Sequence, residues 1–264
     1  MKVSTELHST FGQFITRKAQ SYTPLQRVLV VVAGVLLAGF LASVIAVVVI
    51  LASGVLVSDP STVYERSIIQ AQTSFRRAAQ QAKEKGVSED TYTPAVQAKA
   101  RIILLQAQQP ALQENARKSA DRLVASGTLD PLALYACARA YDTQAARKPE
   151  ARLLYAKAAQ SIGGHAGSIS RTIYHAYAQS LIEQKNYKQA GEYLEKAAKI
   201  APQSPVLYVQ LGKNYERQAE WYDAAYAYLM AQKFDPSNEA AQLALSDLAK
   251  RYPDRVRDAR KEVK

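Results

Sequence analysis

From residue 60 to the C-terminus, apolar positions recur at spacings of three and four, the period of an α-helix, and nowhere alternate at two between turn signals. Tyr64, Ile68, Ala71, Phe75, Ala78 and Ala82 draw one stripe along a long first helix that Gly86 ends. Asp59-Pro60-Ser61 precedes it, and Thr62 with Glu65 fits a capping box at its start. Thr93-Pro94 opens a second helix centred on Ile102, Ile103, Leu104 and Leu105. Gln109-Pro110 opens a third, with Ala116, Ala120 and Leu123 on its packing face and Gly127 at its end. Asp130-Pro131 opens the next, through Gln144, and Pro149 begins its partner, which reaches Ile162. The longest loop, Ser161 to Ser170, carries Gly163, Gly164 and Gly167. No Lys-Ser/Thr follows these glycines, so it is a connector and not a phosphate cradle. The expected class is all-α.

One segment breaks the amphipathic pattern. Val28 to Val57 runs thirty residues without a charge, whereas a bilayer core needs only about 20 helical residues. The run exceeds the apolar core of a cleaved leader, about 7–15 residues. Ala52-Ser53-Gly54 resembles a cleavage site, but so long a run is expected to stay in the membrane. No face of it is polar, which argues against a buried helix of a soluble domain. Residues 1–27 carry Lys2, Arg17, Lys18 and Arg27 against Glu6. That excess predicts a cytosolic N-terminal arm, with the rest on the opposite side; Arg76 and Arg77 pull the other way. Gly34, Ala38, Ala42 and Ala46 recur every four residues. Such a face allows close helix pairing, although alanine is common throughout this chain.

The last hundred residues repeat. In 205–236, Tyr208, Leu211, Gly212 and Tyr215 recur on one helix, a break falls near Ala219, and Ala224, Tyr228 and Ala231 recur on a second that Pro236 ends. Thirty-four residues earlier, Tyr208, Tyr215, Ala224, Tyr228, Ala231 and Pro236 become Tyr174, Leu181, Ala190, Leu194, Ala197 and Pro202, and Trp221 becomes Tyr187. Bulky, small and helix-breaking classes are all kept. Units 171–204 and 205–238 are therefore two copies of one helix–turn–helix. A degenerate copy at 132–165 keeps Tyr135, Ala138, Ala151, Tyr155 and Ala158, with Gly163-Gly164 in place of the final proline and about five extra residues before Arg171. Upstream of 131 the register is lost. Ser237 or Asn238 caps a further helix from Glu239 to Arg251, where Leu243, Leu245 and Leu248 would cover the exposed end of the array. Tyr252-Pro253 ends it and leaves a basic tail, 253–264, expected to be frayed or weakly helical.

The 34-residue period and the spacing of small residues resemble the tetratricopeptide repeat. The resemblance covers 171–238 well and 132–165 loosely. It implies an α-solenoid whose first helices line a concave groove for an extended peptide or a partner helix. The matching positions here are Thr172, His175, Gln179, Ile182 and Glu183, then Val206, Val209, Lys213, Glu216 and Arg217. Some members clamp a partner's terminal carboxylate with Lys and Asn; His175 and Gln179 stand at the equivalent first-repeat positions, so that clamp is not reproduced. The expected organisation is an arm (1–27), a transmembrane helix (28–57), a helical segment (58–131), a degenerate unit with its loop (132–170), two repeats (171–204 and 205–238), a capping helix (239–252) and the tail (253–264). This architecture resembles bacterial inner-membrane proteins with one span and periplasmic repeats.

Charge and chemistry narrow the function classes. The net charge is +11, with basic and acidic residues interspersed and no Lys/Arg block of five, so no nucleic-acid partner is expected. Lys250 to Lys264 is locally enriched, seven basic against three acidic residues, as a solvated end or a contact for anionic headgroups. The single cysteine, Cys137, cannot form an intrachain disulfide and lies among Tyr135, Ala136 and Ala138 as a small buried hydrophobe. His8, His165 and His175 show no metal-ligand spacing. No nucleophile elbow, zinc-protease or Walker sequence occurs, so no enzyme, cofactor or metal site is expected. The expectation is a membrane-anchored protein–protein interaction scaffold, assembly factor or chaperone-like adaptor. The alternative is a homo-oligomer built through the span and the 61–86 helix, with the repeats as spacers.

Overall fold

The computed structural model describes residues 60–163 and 167–263. The expected arm and transmembrane span lie outside them. Tyr64–Lys264 forms one compact unit and Met1–Val63 another, of which only the start of the first helix is described. Among the described residues there are eleven α-helices and no strand: α1 (Pro60–Glu84), α2 (Thr93–Ala107), α3 (Gln113–Ala125), α4 (Pro131–Asp142), α5 (Lys148–Gln160), α6 (Ser168–Glu183), α7 (Tyr187–Ile200), α8 (Pro205–Arg217), α9 (Trp221–Phe234), α10 (Glu239–Arg251) and α11 (Pro253–Glu262). No helix among the described residues is long and apolar enough to cross a membrane.

Three hairpins, α4–α5, α6–α7 and α8–α9, pack along their lengths, and the second helix of each of the first two packs on the next hairpin's first helix. Each hairpin thus packs on the next along the chain, as in a solenoid. Upstream, where the repeat register is lost, α2 and α3 pack on each other and both pack on α4. Tyr141 of α4 donates to Asp121 of α3 at 2.8 Å, and Arg147 pairs with the same carboxylate at 2.7 Å. Arg147 also lies 3.5 Å over the Tyr141 ring, which fixes the turn before α5.

The turn inside each good repeat is built identically. Lys185 and Ala219 stand one period apart, and both adopt left-handed backbone, φ 59° and 60°. Lys185 N–H donates to Ile182 O and Asn186 N–H to Leu181 O; one period on, Ala219 donates to Glu216 O and Glu220 to Tyr215 O. These paired bonds close the last turn of α6 and of α8 in the same motif that ends α1 at Gly86. Small residues mark the closest approaches: a Cβ on Gly212 would sit 2.6 Å from the Tyr228 ring, which explains glycine at the α8–α9 contact. Asn214, itself buried, donates its amide to Tyr187 O at 2.9 Å and ties α8 to the start of α7.

Four expectations are corrected. Pro60 and the residues after it are already helical, so Thr62 lies within α1 and not at its cap. The long connector is shorter than expected because α6 begins at Ser168. A 3-10 turn over Pro110–Leu112 stands before α3, and another over Ala145–Arg147 lengthens the turn before α5. The tail is a formed helix, α11, whose Val256 and Ala259 are buried against the last hairpin. Its two apolar residues are too few to advertise a stripe; tertiary burial stabilises what local pattern does not.

The core lies in two clusters. One runs from Val96 and Ile103 through the hairpins to Leu207 and Leu211. The other joins Val209, Ala224, Tyr228 and Ala231 to Leu245, Leu248 and Val256. Cys137 is fully buried, as expected. Burial, with help from the Asp121 carboxylate, pushes its thiol up to about 12.

Candidate functional site

The residues expected to line a groove lie on α6 and α8. On α6, Thr172 is half-buried and its hydroxyl donates to Ser168 O at 2.9 Å, a bond within its own helix. Half-buried His175 shares a hydrogen bond between Nε2 and Gln210 Oε1, which links α6 to α8. Gln179 is exposed, and Ile182 is half-buried against the main core. Glu183 is exposed and pairs with Lys148 of α5 at 3.5 Å.

On α8, Val206 is 58% exposed, a large apolar residue facing water. Lys213 and Arg217, one turn apart, are exposed. Glu216 is half-buried; its carboxylate adds to the burial that raises the Tyr228 hydroxyl. Val209 departs from expectation. It is 8% exposed and belongs to the second core cluster, because α10 and α11 extend the packed array past α9. Packed in the core, it is not free to line a groove.

The 34-residue step continues past α9. Counting one period forward from Pro205 reaches Glu239, the first residue of α10. By the same step Val209 becomes Leu243, Lys213 becomes Asp247 and Arg217 becomes Arg251. By this register α10 stands where another first helix would begin, but α11 packs on α9 more than on α10, unlike the second helices of the hairpins. The period itself was the available signal, masked by the shortened turn at Tyr252 and by Asp258 and Glu262 where small and bulky residues are expected. Leu243 is 72% exposed, so it does not serve the capping contact expected of it, whereas Leu245 and Leu248 are buried.

Elsewhere, a cleft of about 470 Å³ lies between α1, α2 and α3, floored by Phe75, Ile103 and Leu123. Its Lys99 is neutralised by Glu89 and Asp90 at 2.8 and 2.6 Å. Among the described residues no group of three or more His, Cys, Asp or Glu could hold a metal ion.

No family model and no curated protein sequence matches the chain. Solved structures do. The chain is similar to BtubC (BKLC) from P. vanneervenii, with a TM-score of 0.53 and 16% identity over 76% of this chain and 89% of that one. It is similar to the MamA RS-1 ArsTM double mutant, with a TM-score of 0.50 and 20% identity over 62% of this chain and 92% of that one. For MamA (41-end) from Desulfovibrio magneticus RS-1 the TM-score is 0.49, at 20% identity over 62% and 93%. The first two likenesses, with the 34-residue register, give a tetratricopeptide-repeat-like α-solenoid. At such identities a shared fold carries no shared function.

Proposed function

We propose that the chain is a single-pass membrane protein whose solenoid holds another polypeptide in the groove of α6 and α8, as a scaffold, assembly factor or chaperone-like adaptor. The observation that carries the reading is on α8. Lys213 and Arg217 are exposed with no ion pair among the described residues, beside the exposed Val206. Unpaired cations next to an apolar side chain offer charge-assisted hydrogen bonds and burial to a peptide, the two elements of groove recognition. The His175–Gln210 bond supports it by holding the two helices in fixed register, so that the ligand meets a preorganised wall. Residues 28–57 would cross the bilayer with 1–27 in the cytosol and the solenoid on the other side, in the manner of a bacterial inner-membrane protein with a periplasmic domain.

The test is affinity capture with the full chain in detergent, wild type beside Lys213→Glu/Arg217→Glu. The double variant is expected to lose most captured polypeptides while its thermal transition and helicity stay unchanged, because both side chains are exposed. Identical partner sets from the two proteins would overturn the groove.

A further inference from the structure

We infer that α1 is a hinged strap: it releases from α2 and α3 as one unit, about the loop after Gly86, while α2 to α11 stay folded, and its release uncovers the aliphatic side of α2. The strap is independent of the groove on α6 and α8.

Three observations carry it. First, α1 is the longest helix among the described residues, 25 residues, yet it stands outside the cores. None of its residues belongs to either apolar cluster. Among the described residues it packs along its length on no other helix, whereas α2 and α3 pack on each other and on α4. The side chains it buries are alanines, Ala71, Ala78 and Ala82; Tyr64, Ile68 and Phe75, the bulky members of its stripe, are only half-buried. A methyl group removes little apolar surface from water, so this hold is weak for a helix of such length.

Second, clefts run beside it from Ser67 to Lys83. One of about 370 Å³ lies between Ala71 and Ser74 of α1 and Leu104 and Leu105 of α2. The cleft floored by Phe75, Ile103 and Leu123 holds about 470 Å³, with Ser119 of α3 on its wall. A third, of about 480 Å³, is lined by Phe75, Ala79, Lys83 and Val87. Firmly held helices interdigitate with their neighbours and leave few voids larger than a water molecule. Side chains that face a gap lose dispersion attraction on that side.

Third, the polar ties gather at one end. The Tyr92 hydroxyl donates to Gln81 at 3.4 Å and accepts from Lys85 at 3.4 Å, both beside the loop. Val87 N–H donates to Ala82 O at 2.9 Å, and Gly86 takes the left-handed turn, φ 65°. Farther from the loop, α1 meets α2 through the Phe75 ring, whose centre lies 5.1 Å from the Lys99 ammonium. Glu89 and Asp90 already hold that ammonium. A helix tied at one end and gapped along the rest opens about the tied end.

The experiment is hydrogen exchange of the full chain in detergent, beside thiol labelling of Ala78→Cys with the buried Cys137 as internal reference. Helices in proteins owe most of their stability to packing of the apolar face, so release is read as exchange. Amides of 64–84 are expected to exchange about a hundredfold faster than those of α2 and α4, and Ala78→Cys to react about a hundredfold faster than Cys137. Ser119→Leu and Ala79→Leu each put an aliphatic side chain into a cleft beside α1. Each is expected to slow both rates about tenfold and to leave exchange in α4 to α9 unchanged. Equal protection of α1 and α2 overturns the proposal, and so does an Ala78→Cys thiol no more reactive than Cys137. If neither leucine slows α1, the helix frays by itself and that face does not hold it, and the strap is wrong. If α2 and α3 open together with α1, the opening unit is the whole N-terminal end of the array, which also overturns it.

Discussion

At the scale of single residues, the two repeats keep backbone geometry more faithfully than side-chain identity. Lys185 and Ala219 hold left-handed φ although neither is glycine, because the paired bonds at the ends of α6 and α8 require it. An L-residue there costs about 1–2 kcal/mol, and glycine's extra chain entropy offsets part of the relief. Lys185→Gly is therefore expected to raise stability by about 0.5–1 kcal/mol, seen as a higher urea midpoint at unchanged slope. Cys137 gives a second residue-scale expectation. Its folded-state thiol lies above its ordinary value of 9.0, at about 12, because it is buried and near Asp121. Between those values the unfolded chain has released the proton and the folded chain keeps it. Stability then falls as pH rises through that window, by about 1.4 kcal/mol per pH unit. Cys137→Ala should flatten the alkaline stability profile by about one proton. In the wild type near neutral pH, labelling by a thiol reagent should proceed only at the rate of structural opening.

Elements show where local pattern stops being informative. Helices α6 to α9 carry enough bulky and small residues at helical spacing to be recognised from the chain alone. α11 does not: PDRVRDARKE has Val256 and Ala259 as its apolar contacts, and both are buried against α9 and α10. Val256→Asp is expected to cost about 2–4 kcal/mol, since it buries a carboxylate without a partner. In a solenoid that loss should stay local. Hydrogen exchange is expected to speed up in α9–α11 while α4–α7 keep their protection; uniform loss along the array would contradict nearest-neighbour packing.

For the whole molecule, the central expectation is topological. Val28–Val57 is long enough to span a bilayer with some tilt. The full chain should stay in the membrane pellet through alkaline carbonate extraction, and deletion of 28–57 should release it. In sealed inner-membrane vesicles of inverted orientation, protease should remove the basic N-terminal arm and spare the solenoid. Digestion of the solenoid instead would reverse the assigned orientation and place its partners in the cytosol.

Three things were fixed by the order of residues alone: the helical class, the 34-residue period and the apolar run near the N-terminus. Each depends on spacing along one chain, which is local information. The packing of α2 and α3 onto α4, the formation of α11 and the burial of Val209 were decided by tertiary structure, because each depends on which surfaces meet. Val206 and Val209 illustrate the division. They are the same residue type one helical turn apart on α8, and both match groove positions in the repeat pattern, yet one faces water and the other lies in the core. Periodicity assigns a residue to a face of its helix; whether a neighbour covers that face follows only from the folded array. The exposure of Leu243 on α10 has the same origin, since the chain presents three leucines there and only packing selects two of them for the core.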